Sequence, residues 1–256
     1  MWHAKSDARL FGAVLVCLIG AAWVALLVWG TSPYSPFLGH GELGETKLRL
    51  DSEYALTALL FVAGWSLMTT AMMLPTSLPL VILFRTITQR RANQSTLTAI
   101  LVLGYLGAWI AFGVLAHFGD FWIHRIVESD RWLHANTWLL GAAPLIVAGA
   151  YQFTPLKYIC LDKCRSPYSF VVEHWQGGNE KYQALRLGLD HGLFCVGCCW
   201  SLMLLMFAVG IGSLVWMLAL AAVMSVEKNM PWGRGLSSPL GVVLLTAGLT
   251  VVALNV

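Results

Sequence analysis

Residues 195–199 read CVGCC, three thiols within five positions, and His191 lies one helical turn ahead of them. On a helix, residues three, four, seven and eight apart share a face, so His191, Cys195, Cys198, Cys199 and Met206 fall in one broad stripe with Met203 at its margin. Sulfur and imidazole are the donors that suit soft Cu(I), and the Cys and His members also suit Zn(II). Cysteine can instead pack as a small hydrophobe and methionine as a flexible filler. Three grouped thiols with an in-phase imidazole favour ligation over packing. The cluster sits where a polar segment gives way to an apolar run, which predicts a helix N-terminus near Cys195 whose positive end assists thiolate formation.

Two further segments offer sulfur. YICLDKCRSP places Cys160 and Cys164 four apart, close enough to meet on one helical turn. A reducing cytoplasm disfavours a structural disulfide between them, which leaves metal binding or redox turnover. In WSLMTTAMMLPTSLP, Met68 and Met72 share a face and Met73 is adjacent. Pro75 cannot donate to the Ala71 carbonyl, and with Pro79 it predicts a kink near mid-membrane where a free carbonyl and thioethers would give a soft ion a transient stop. Cys17, alone in an apolar run, reads as packing.

Other polar residues carry two readings each. Met217 and Met224 are seven apart and Glu227 follows; the carboxylate either reaches the headgroups or turns inward to pair with Lys157 or Lys163 or to support a metal ligand. His117, Asp120 and His124 align on one helical face, a hard-to-borderline donor set. An interfacial stretch anchored by Trp122 explains the same three residues without metal.

The elements that must position these groups are apolar. Of 256 residues 58% are hydrophobic and only 11% charged, and the mean hydropathy is +0.70. Such a balance marks an integral membrane protein, all-α, in contact with the bilayer. No basic block suggests nucleic acid, and no nucleotide-binding, aspartyl-phosphate, HExxH or serine-elbow pattern occurs. Apolar runs fall near 10–29, 55–84, 97–117, 136–155 and 238–256. Region 192–227 is either one long helix or two joined by a turn at Gly210, Ile211 and Gly212. The two-helix choice puts twelve basic residues inside and leaves Lys47, Arg49, Arg125 and Arg131 outside, so the positive-inside rule selects it. The expectation is one domain, a bundle of about seven helices with the N-terminus cytoplasmic, outer loops at 30–54 and 118–135, and an inner loop at 156–190 carrying a Cys pair.

The strings AMMLPT, YQFTPLKYICLDKCRSP, DHGLFCVGCCWSLMLLMFAVG and VEKNMPWG, in this order over residues 55–233, resemble a bacterial family of predicted metal-binding integral membrane proteins. The resemblance implies Cys160, Cys164, Cys195, Cys198, Cys199, Met72 and Met73 as metal candidates. The reading that follows is Cu(I) handling or transport at the bacterial cytoplasmic membrane, with a cytosolic metallochaperone or small accessory protein as partner and room for a homo-oligomer. A membrane thiol oxidoreductase relaying electrons from two Cys pairs to a quinone, and an assembly subunit for a metalloenzyme, are the alternatives.

Overall fold

Inside a bilayer every backbone polar group must be satisfied within the chain, and helices do this segment by segment. The computed structural model describes residues 2–30, 52–176, 178–209 and 213–255, which are helical with no strand among them. The helices are α1 (Trp2–Gly30), α2 (Ser52–Met72), α3 (Leu74–Ile87), α4 (Gln94–Ser129), α5 (Arg131–Ala135), α6 (Leu139–Tyr151), α7 (Pro155–Arg165), α8 (Pro167–His174), α9 (Glu180–Val209), α10 (Leu214–Asn229) and α11 (Ser237–Asn255). Four segments are long and apolar enough to cross a membrane: Phe11–Gly30, Gln94–Ser129, Glu180–Met206 and Gly233–Asn255. Two bent pairs, α2 with α3 at 64° and α6 with α7 at 67°, pass the same test together, giving up to six. Outward-facing Val215, Leu115 and Leu254, 77%, 70% and 79% exposed, are the surface that lipid would cover.

Several boundaries differ from those expected. Lys47, Arg49 and the turn residues Gly210, Ile211 and Gly212 lie outside the described residues. Region 118–135 is no loop for most of its length, because α4 runs on to Ser129. At 36 residues that helix reaches about 54 Å, well past the ~30 Å hydrocarbon core. The segment 156–190, expected as a loop, is also helical over most of its length, built from α7, α8 and the start of α9. Thr154 caps α7 by accepting the Lys157 N–H at 3.3 Å, and Pro155 at the first position costs no hydrogen bond. Region 192–227 holds two helices, the end of α9 and most of α10. Lys228 Nζ lies 3.0 Å from Cys195 Sγ, which requires α10 to double back along α9.

The central pair is α4 against α9. Their backbones meet because glycines stand at the crossing: a Cβ on Gly104 would lie 2.6 Å from the Leu185 carbonyl oxygen, one on Gly192 would lie 2.7 Å from Ala108 Cβ, and one on Gly188 would overlap the Leu101 carbonyl. Gly188 and Gly192 are four apart, the small-residue spacing by which apolar helices pack closely in lipid.

Charge collects at one end of the bundle. Arg91 and Asn93 hold Glu180, the latter at 3.1 Å; His174 and Arg186 meet Asp190 at 3.3 and 3.5 Å; Arg234 meets Asp162 at 3.3 Å. Lys163 lies 2.9 Å from Glu173, and its hydrogen bond holds that carboxyl below the usual range. Deeper in, Lys157 and Glu227 are both buried and pair at 2.8 and 3.0 Å. Lys157 also donates to Gln152, Ser237 donates to Glu227 at 2.7 Å, and Arg165 donates to the Glu227 carbonyl. This network ties α6, α7, α10 and α11 together. Of the two partners expected for Glu227, Lys157 is the one it takes.

Two stability outcomes follow. Gly188→Leu, measured by thermal unfolding in detergent, lowers stability by about 1–3 kcal/mol through overpacking at the α4–α9 crossing. Lys157→Met costs more, about 3–5 kcal/mol, because it leaves Glu227 buried without its cation; the double variant Lys157→Met/Glu227→Leu recovers most of that loss.

Candidate metal centre

The site begins at a broken helix. Between α2 and α3 the chain turns at Met73, and three side chains crowd its carbonyl: Thr76 Oγ1 at 2.8 Å, Tyr105 Oη at 3.1 Å and Ser77 Oγ at 3.3 Å. Proline chemistry predicted the break, although polar groups gather on the Met73 carbonyl and not on that of Ala71. The Met73 thioether then faces α9, with Sδ 3.9 Å from Cys199 Sγ.

α9 supplies three thiols and α7 two more. Cys198 and Cys199 donate back to the Cys195 carbonyl at 3.1 and 3.0 Å, which fixes both on the inward face. Cys164 Sγ, arriving from α7, stands 4.0 Å from Cys198 Sγ. Cys160, one turn earlier, packs on Gly197, where a Cβ would lie 2.6 Å from its sulfur. Tyr151 donates to the Gly197 carbonyl on the same stretch. The 160/164 pair and the 195/198/199 trio therefore converge. His191 is buried with Nδ1 lacking a hydrogen-bond partner, its ring 5.8 Å from that of Tyr105 and 5.5 Å from that of Phe170. Met68, Met72, Met203, Met206, Met217 and Met224 are all buried in the core that also holds the four buried cysteines.

Two members of the site had been overlooked. Lys228 Nζ sits among the donors, 3.0 Å from Cys195 Sγ, 3.6 Å from Cys199 Sγ, 3.8 Å from Met73 Sδ and 3.4 Å from Thr76 Oγ1. Tyr105 Oη lies 3.0 Å from Cys195 Sγ. In the sequence Lys228 reads as a topology signal, yet it follows Met224 by four positions on the buried face of α10, a periodicity that could have found it. Tyr105 follows Leu97 and Leu101 on a buried stripe of α4 in the same way.

Other expectations need correction. Cys195 lies roughly four turns inside α9, which begins at Glu180, so the N-terminus of its own helix is not near it. The positive charge beside it is Lys228. Cys17 is exposed on α1, facing outward and not packed within the bundle. At the other end of α4, His124 Nδ1 contacts Asp120 at 3.5 Å and His117 stacks on Phe61 at 4.4 Å.

Sulfur and imidazole are donors suited to soft ions. Two sulfurs each about 2.3 Å from one cation stand about 3.8 Å apart at a tetrahedral angle and about 4.6 Å apart on a line. The Cys164–Cys198 separation of 4.0 Å falls between these limits. Among the described residues no group of three or more His, Cys, Asp or Glu side chains is set to hold a metal ion as it stands. What the geometry offers is one facing pair of thiols, Cys164 and Cys198, with the Met73 thioether beside Cys199.

Comparison with curated proteins and with solved structures gives no match. The family model PpoB2, described as copper chaperone, matches residues 62–251, a stretch that holds every sulfur of the cluster; the chain belongs to this copper-chaperone family.

Proposed function

We propose that the protein binds Cu(I) as cargo at the Cys/Met cluster, within the bacterial cytoplasmic membrane, and hands it on through buried thioethers. One observation carries the reading: sulfur atoms from three separate segments, at Met73, at Cys164 and at Cys195, Cys198 and Cys199, meet in one buried place. Membership of a copper-chaperone family makes copper handling the general task. Thiolates bind soft Cu(I) tightly and thioethers more weakly, so an ion held by Cys164 and Cys198 can pass toward Met73, Met72 and Met68, or along Met203 and Met206, by exchange of softer for weaker donors. Binding releases the thiol protons, so loading is coupled to proton loss. His191 and Cys160 flank the cluster and support it, and Zn(II) is the competing ion.

In this reading the bundle has seven spans with its N-terminus and the charged end toward the cytoplasm, where a metallochaperone or small accessory protein delivers the ion, and copies of the chain can associate. α7 and α8 form the entrance. The expected consequences are measurable in anaerobically purified protein by competition with a chromophoric Cu(I) chelator. Cys198→Ser and Cys164→Ser each lower Cu(I) affinity at least tenfold, about 1.4 kcal/mol, whereas Cys17→Ser leaves it unchanged; equal affinity in all three removes the site.

A second outcome separates cargo binding from electron relay. Met73→Leu slows transfer of bound Cu(I) to an external acceptor at least threefold with less effect on occupancy. Protein that binds no Cu(I) yet reduces a quinone with a dithiol donor reverses the assignment toward the oxidoreductase alternative.

A further inference from the structure

An ammonium group buried among sulfurs needs a reason. Lys228 is only 6% exposed, and the carboxylate next to it in sequence, Glu227, is already committed to Lys157 and Ser237. What faces Lys228 Nζ instead is Cys195 Sγ at 3.0 Å, Cys199 Sγ at 3.6 Å, Met73 Sδ at 3.8 Å and Thr76 Oγ1 at 3.4 Å. Burying a charge beside soft, weak acceptors is costly. A packing role alone would be served by methionine, which the same face of α10 uses at Met217 and Met224.

The placement engages part of one thiol cluster: Lys228 holds Cys195 and Cys199, Cys164 and Cys198 face each other at 4.0 Å, and Cys195 also touches both of these. A tetrahedral divalent ion such as Zn(II) takes four Cys or His donors. Lys228 competes for Cys195 and Cys199, and its fixed positive charge repels a doubly charged ion more than a singly charged one. Two or three soft donors suffice for a monovalent thiophilic ion, and these remain.

We infer that Lys228 is a specificity-determining residue that makes the cluster select monovalent over divalent thiophilic ions, by keeping two of four thiols from the metal and by supplying one unit of positive charge itself. The inference rests on the Cys/Met site proposed above. It adds a role for a residue that donates nothing to the ion.

The test uses full-length protein purified anaerobically in detergent, titrated with Ag(I) and with Cd(II), which are both thiophilic and differ in charge. Binding is read by thiolate-to-metal absorbance and by chelator competition in wild type, Lys228→Met and Lys228→Arg. Wild type is expected to favour Ag(I); Lys228→Met raises Cd(II) affinity at least tenfold while changing Ag(I) affinity less than threefold; Lys228→Arg keeps the wild-type preference. An unchanged ratio of the two affinities in a folded Lys228→Met protein overturns the inference while leaving the metal site intact. Should that variant fail to fold, wild-type protein decides the matter: Cd(II) absorbance corresponding to four thiolates per ion overturns the inference, and two or fewer supports it. Wild type that binds neither ion removes the Cys/Met site itself, and the role of Lys228 with it.

Discussion

Adjacent residues on a helix point about 100° apart, and at the end of α10 that rotation separates two buried charges. Glu227 turns to Lys157 and Ser237 on one side, and Lys228 turns to Cys195, Cys199 and Met73 on the other. Neither group could be buried in an apolar bundle without its own partners. Satisfying the first locks α10 against α7 and α11, and this lock aims the second into the thiols. Were Lys228 to take Glu227 as its partner instead, the sulfur cluster would contain no charge and Lys157 would be stranded.

The remaining elements bring sulfur to that point. A glycine-lined crossing sets α4 against α9 closely enough for the Tyr105 hydroxyl to reach both the Met73 carbonyl and Cys195. The break between α2 and α3 turns one thioether sideways into the cluster, a direction unavailable to a side chain on an unbroken helix packed lengthwise. The bend before α7 lays that helix across α9, and Gly197 leaves space for Cys160. Each device exchanges regularity of a helix for convergence of donors. Such irregular backbone is tolerated in a membrane protein where protein groups, and not lipid, surround it.

Chemically the result is a buried, sulfur-rich and partly cationic pocket, in a chain whose family handles copper. In the proposed reading the soft donors give an affinity for thiophilic ions in general, and the lysine among them adds a means to discriminate by charge. The cluster itself is assembled by several helices and not by the CVGCC stretch alone.

Composition and apolar run length were enough, by themselves, to establish a helical chain with bilayer-length segments, because hydropathy is a property of each segment in isolation. Helical periodicity likewise placed Cys195, Cys198, Cys199 and Met206 on one face, proline chemistry found the kink near Pro75, and the cost of a buried carboxylate offered Lys157 or Lys163 as a partner for Glu227. Spacing along the chain could not show that Cys164 opposes Cys198, that Cys195 lies well inside α9, that Cys17 faces outward, or that Lys228 enters the cluster. Those facts depend on which helices pack together and at what depth. Periodicity tells which side of a helix is buried; only the assembled bundle decides what that side meets.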